Sequence, residues 1–223
     1  MTSKGDLRTC NSKMGELSFF SMDLVDESGE IRATCWREAA DRFFPIVEVG
    51  KLYMISRAQL KMANKKFSSL NNQYEMSLGY DSQVQLCVDQ SAPLPKVRYA
   101  FVPIADIAAR PVNATVDVLG VVQSVSPVSR IVAKQSGREL VKRTVSIADE
   151  SAASIEVTVW GNQAEAFPEV SGTAVVAFKG LRVTEWNQRS LGMNMSSTYE
   201  VEPDHERVAA LKEWWQGCLL YTS

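Results

Sequence analysis

Two hydrophobic patterns alternate along the chain, and their order occurs twice. Leu17 to Leu24 (LSFFSMDL) is an apolar, partly alternating run rich in aromatics. It ends at Asp26-Glu27-Ser28-Gly29-Glu30, after which Ile31 to Trp36 (IRATCW) alternates apolar and polar. Period-two alternation on both sides of a short polar turn predicts a β-hairpin. Arg37 to Phe44 holds good helix formers and stops before Pro45, which predicts a short helix. Leu52 to Met62 and Phe67 to Leu78 predict two more strands around the polar turn at 63–66. The second half repeats this more completely. Val116 to Val125 predicts a strand, 126–139 a polar loop, Val141 to Ala148 and Ile155 to Trp160 a hairpin, and Gln163 to Phe167 a short helix. Val175 to Arg182 and Leu191 to Val201 predict the last two strands.

Individual residues repeat as well as patterns. Asp26-Glu27-Ser28 pairs with Asp149-Glu150-Ser151, Trp36 with Trp160 and Phe44-Pro45 with Phe167-Pro168. Leu60-Lys61 pairs with Leu181-Arg182, Phe67 with Trp186 and Tyr74-Glu75 with Tyr199-Glu200. Six matches in one order imply duplication, because loop-length changes explain the small drift in their spacing. Strand, strand, strand, short helix, strand, strand is the order of a five-stranded OB barrel. The expected fold is therefore all-β: two tandem five-stranded OB barrels, each with a short helix. The first unit occupies 1–88 and has no evident first strand, so its barrel is expected to be incomplete at the N-terminal side. Residues 89–98, with Pro93 and Pro95, read as a short semi-rigid linker. The second unit occupies 99–203, and 204–216 predict an amphipathic helix capped by Asp204. Residues 217–223 fit no element and read as an artefactual tail.

Composition narrows the function. Lysine and arginine number 24 against 26 acidic residues, for a formal net charge of -2. That excludes a polybasic tail but not a local basic groove. No apolar run is long enough for a transmembrane helix, and the first residues lack the apolar core of a secretory signal. The four cysteines, at 10, 35, 87 and 218, form no C-x-x-C pair, which suits a reducing compartment. The single histidine, His205, excludes a two-histidine metal site, and no metal or other cofactor is expected. There is no glycine-rich phosphate loop ending in Gly-Lys-Ser/Thr, and Asp23, Asp26, Glu27 and Glu30 read as solvated acids around a turn. An enzyme is not expected.

The basic residues are placed unevenly. Lys51, Arg57, Lys61, Lys65 and Lys66 occur in 51–74 without an acid among them. Arg130, Lys134, Arg138, Lys142 and Arg143 meet only Glu139, and Lys179, Arg182 and Arg189 meet only Glu185. In the OB reading these stretches rim the oligonucleotide-binding face, as a phosphate-tracking groove requires. Aromatics stand among them at matched positions: Trp36 and Phe67, then Trp160 and Trp186. Bases of a single strand stack on such flat side chains. Phe67 and Trp186 lie at polar turns where burial is awkward. Trp36 and Trp160, at strand ends, fit a barrel core as well as a stacking surface on periodicity alone.

These runs resemble the two central DNA-binding OB domains of the large subunit of eukaryotic replication protein A. The resemblance rests on Asp26 to Thr34 (DESGEIRAT), Phe43-Phe44-Pro45, Leu60 to Phe67 (LKMANKKF) and Tyr74-Glu75-Met76. In the second unit it rests on Val141-Lys142-Arg143, Val157 to Gly161 (VTVWG), Lys179 to Val183 (KGLRV) and Arg189-Ser190-Leu191. It implies that Trp36 and Phe67 are the stacking pair of the first unit, and Trp160 and Trp186 that of the second. It further implies DNA contacts from Arg8, Arg32, Lys61 and Glu75 in the first unit and from Lys134, Lys142 and Arg182 in the second. Trp36 and Trp186 stand where phenylalanine is common in the family. The loop holding Met14 and Ser18 is usually more basic, and Lys13 is the substitute contact. The family's zinc-bearing assembly domain and its N-terminal protein-recruitment domain have no counterpart here. Metal binding and assembly with the two smaller subunits are therefore expected only of a full-length protein.

The expected function is sequence-tolerant binding of single-stranded DNA by a fragment that is itself monomeric, in nuclear replication, repair and recombination. The alternative is an OB-fold protein-interaction scaffold of a meiotic or telomeric paralogue, docking through a helix bearing Trp214 and Trp215.

Overall fold

A computed structural model of the chain describes all residues except 13, 14, 65–67, 69, 88–96, 133–136, 138, 171, 187, 195 and 221–223, and the side chains of 12, 186, 219 and 220. It divides into two compact units, 1–98 and 99–223.

In the first unit β1 (Ser3–Lys4), β2 (Arg8–Ser12), β3 (Gly15–Val25) and β4 (Glu30–Trp36) precede α1 (Glu38–Phe43). Then come β5 (Tyr53–Ser56), β6 (Gln59–Met62), β7 (Tyr74–Leu78) and β8 (Gln83–Leu86). The long hairpin β3–β4 is the spine, with β7 parallel to β4 and β6 antiparallel to β7. The repeated Asp-Glu-Ser closes it for a local reason. Asp26 Oδ1 accepts the Ser28 and Gly29 backbone N–H groups at 2.8 and 3.1 Å, and so forms the turn itself. Alternation sends Phe20, Met22, Ala33 and Cys35 into the core with Ala39, Ala40 and Phe43 of α1 and Leu78.

The second unit begins with a 3-10 turn (Ile104–Ala109), then β9 (Thr115–Val125), β10 (Ser129–Val132), β11 (Glu139–Ala148), β12 (Ser154–Trp160) and α2 (Asn162–Ala166). It closes with β13 (Val175–Trp186), β14 (Gln188–Gly192), β15 (Thr198–Val201) and α3 (Arg207–Leu220). Strand β9 joins β11 on one side and β13 on the other, closing the barrel over Val118, Val145, Val157, Phe178 and Leu191.

Comparing the units tests the expected missing strand. Ser3 and Lys4 pair with Asp23 and Met22, as Ser124 and Val125 of β9 pair with Ser146 and Val145. The first unit thus carries a two-residue stub where the second has an eleven-residue strand. Strand β5 accordingly pairs with β8 in a sheet of two.

Several expected elements are corrected. Leu52 to Met62 is broken at Arg57, whose φ of 57° belongs to a turn. Of the expected strand at 67–78, whose residues 67 and 69 lie outside the described ones, Tyr74–Leu78 is a strand, and the Tyr74 N–H is taken by Asn72 Oδ1 at 2.9 Å. Leu191 to Val201 is not one strand, because Asn194 Oδ1 accepts the Ser196 N–H at 2.7 Å and turns the chain. The polar stretch after Val125 holds β10. Helix α3 starts at Arg207, whose N–H donates to His205 Nδ1 at 3.2 Å. It continues to Leu220, four residues beyond the expected end at 216. Its Val208, Leu211, Trp214 and Trp215 cover Leu119, Val121, Val175 and Ala177 on the outside of the barrel. The expected linker lies almost wholly outside the described residues.

Candidate nucleic-acid interface

The face of the first sheet opposite its core is built from directly paired residues. Phe19 faces Trp36, Ser21 faces Thr34 and Asp23 faces Arg32 across β3 and β4. Each pair shares one side of the sheet. At the end nearest α1 the rings of Phe19 and Trp36 stack, with centroids 5.1 Å apart and planes at 24°. Neither ring belongs to the barrel core. Lys61 Nζ lies 5.8 Å from the Trp36 ring centroid, within cation–π range. Glu75 Oε1 holds that ammonium at 3.1 Å, and its Oε2 accepts the Asn64 N–H at 3.3 Å. Exposed Arg8 is in register with Phe19 on the other side. Arg8, Phe19 and Trp36 therefore form one band across three strands, and Lys61, whose own rung with Glu75 lies beside Arg32, reaches the indole along the face with its side chain.

The same band exists in the second unit. Lys142 faces Trp160, which is 37% exposed. Arg182 pairs with Gly192, which pairs with Thr158, so exposed Arg182 shares the face of Thr158 and Trp160. Both tryptophans thus lie on the open face and outside the cores, resolving the ambiguity left by periodicity.

A local backbone feature sets their position. Each tryptophan is followed by a residue with positive φ, Arg37 at 53° and Gly161 at 61°. Their N–H groups return to the Ser18 and Val141 carbonyls at 2.8 and 2.9 Å. This turn ends the strand and starts the short helix, leaving the indole at the sheet's rim.

Other expected residues are placed differently. Arg32 does not stand open on the groove: Nε and Nη2 donate to the Asp23 carboxylate at 2.7 and 2.8 Å, and both side chains are buried. Arg143 faces inward, donating to the Phe167 carbonyl at 2.6 Å and pairing with Glu169 at 3.2 Å. Lys179 lies over the Tyr99 ring at 5.7 Å. Arg130 meets Glu139 and Glu165, both at 3.6 Å. Arg182 is not the rung-equivalent of Lys61, because Arg182 pairs with Gly192 whereas Lys61 pairs with Glu75. Its counterpart is Gln59, which pairs with Ser77 beside Thr34. Lys13, Phe67 and Lys134 lie outside the described residues, as does the side chain of Trp186, whose backbone pairs with Gln188 at the end of the β13–β14 hairpin. Phe19 is the band residue that sequence reasoning missed. Its signal is the aromatic doublet Phe19-Phe20, of which strict alternation must place one ring outside the core.

A family model described as the replication protein A OB domain matches residues 104–202. Over 217 residues, 97% of this chain, the sequence is 41% identical to the replication protein A 70 kDa DNA-binding subunit of Gallus gallus. The chain belongs to the replication protein A family. It is also 39% identical to the Drosophila melanogaster subunit over 219 residues, again 97% of this chain. It spans 35% and 36% of those two relatives, about a third of their length. A solved replication protein A heterotrimer bound to ssDNA superposes with a TM-score of 0.75 and 37% identity, over 97% of this chain and 50% of that one. The tandem OB order is thereby that of the large subunit's central domains.

Proposed function

We propose that this chain binds single-stranded DNA, each unit stacking bases on its open-face aromatics while flanking cations hold phosphates. The carrying observation is the repeated placement of an indole beside a cation outside the core: Trp36 with Lys61, and Trp160 opposite Lys142. A single strand presents both base faces and phosphates to such a band, whereas paired bases hide their faces inside the duplex. Phe67 and Trp186 are the second stacking residues of the two units. Arg8, Lys13, Lys134 and Arg182 are phosphate contacts, with Glu75 as a polar contact. Two modest sites on one chain gain avidity, because the second engages at high effective concentration. The activity is non-catalytic. The solved relative supports the ligand, since that heterotrimer is described as bound to ssDNA. In the full-length protein the same reading implies two smaller partner subunits and a nuclear role in replication, repair and recombination.

The scaffold alternative loses its main support, because Trp214 and Trp215 pack against the chain's own barrel. Fluorescence anisotropy of a labelled dT oligomer of roughly 20–30 nucleotides tests the proposal. Tight binding competed by dT and not by duplex is expected, and an rU competitor ranks RNA against DNA. A folded sample that ignores dT overturns it.

A further inference from the structure

The two units differ at one rung of this band. Phe19 faces Trp36 in the first unit, and Lys142 faces Trp160 in the second. One strand further out, Arg8 pairs with Phe19 and Ser129 with Lys142. The first unit thus reads cation, ring, ring across three strands, and the second reads hydroxyl, cation, ring. Phe19 is half-buried on a face it shares with Ser21 and Asp23, while its neighbour Phe20 fills the core. A phenyl ring on a polar face has no packing role in the barrel beneath it. Its near-parallel contact with Trp36 covers one face of each ring, while Lys61 reaches the indole from the β6 side, opposite Phe19.

Resting on the single-strand reading, we propose that Phe19 is itself a base-stacking residue of the first unit. With Trp36 it forms a two-ring platform for bases of one strand, one base stacking on the face of Phe19 turned away from Trp36 and a second displacing the Lys61 ammonium from the indole. The second unit replaces this ring with a phosphate-directed lysine. The first unit is therefore held mainly by stacking at this rung and the second mainly by charge, so their contributions separate with salt.

The test uses the whole chain. A dT oligomer carrying 5-iodouracil is photocross-linked to the protein and the adducts are mapped by peptide mass spectrometry. Adducts at both Phe19 and Trp36 are expected. In parallel, Phe19→Leu keeps an apolar side chain of similar size and removes the ring. It is expected to weaken dT binding about fivefold or more with the salt slope unchanged, as for loss of one stacked base. Adducts at Trp36 without Phe19 overturn the proposal even where Phe19→Leu binds weakly, since Phe19 then only props the indole. Unchanged affinity in Phe19→Leu also overturns it. Failure of the parent chain to bind dT sinks the single-strand reading itself, whereas a binding parent with a silent Phe19→Leu sinks only the platform.

Discussion

Asp23 and Arg32 face each other across the first hairpin, joined by two hydrogen bonds of 2.7 and 2.8 Å, with Ser3 Oγ donating to the same carboxylate at 2.9 Å. Both side chains are less than a tenth exposed. Removing one partner strands the other charge, which costs about 3–5 kcal/mol at a buried site. Asp23→Ala is expected to lower the urea midpoint of the first unit accordingly. Arg32→Met is expected to destabilise that unit as well while leaving the salt slope of DNA binding unchanged. A shallower slope in Arg32→Met would show the guanidinium leaving Asp23 for a phosphate.

The two open-face tryptophans predict matched losses. Trp36→Ala and Trp160→Ala remove one stacking surface each, worth roughly 1–3 kcal/mol per base. Each is expected to weaken dT binding about tenfold in anisotropy titrations, with far-UV circular dichroism unchanged.

Cations in the two bands are not equivalent. Lys61 already has Glu75 at 3.1 Å, whereas no described acid pairs with Lys142. Each phosphate contact on a single strand contributes about 0.7 to the slope of log K against log salt. Lys142→Met is expected to reduce the slope by about that amount and Lys61→Met by clearly less. Equal reductions would show that Glu75 releases Lys61 when DNA binds.

Arg37 adopts φ 53° and ψ -128°, a region suited to glycine, and Gly161 stands at the equivalent place in the second unit with φ 61° and ψ -141°. Such a conformation costs a residue with a side chain roughly 1–3 kcal/mol. Arg37→Gly is expected to stabilise the first unit by about 1 kcal/mol in denaturant unfolding, after the entropic cost of glycine is subtracted.

Burial raises the Cys35 thiol from its ordinary value of 9.0 to about 12, against a smaller opposing effect from Arg42. The folded unit therefore holds this thiol neutral where the unfolded chain would ionise it. The stability from this group is complete below pH 9.0 and is lost as pH rises towards 12. Melting of the first unit is expected to fall over that window, and Cys35→Ala to flatten the fall. Native Cys35 is also expected to resist thiol reagents at pH 8 until the unit unfolds.

Much of this protein is legible in its sequence because its determinants are local. Period-two alternation marks the strands, Asp26-Glu27-Ser28 and Asp149-Glu150-Ser151 form their own turns, and duplicated spacing reveals two barrels. The same logic exposes the short first strand, since residues 1–14 hold no apolar run comparable to Val116 to Val125. Tertiary structure decided the rest through pairing register, which is non-local. Alternation says that Phe19 and Phe20 point opposite ways, but only the partners of β3 show which one faces Trp36 outside the core. Residue spacing aligns Lys61 with Arg182, yet the hairpins they enter differ in length. The ladder therefore places Arg182 two residue pairs away, opposite Gly192. Charge runs mark Arg32 and Arg143 as groove candidates. Their burial depends on Asp23 across one hairpin, and on the Phe167 carbonyl and Glu169 beyond α2. A charge is open or committed according to the groups that folding brings within about 3 Å of it, and those groups come from other parts of the chain.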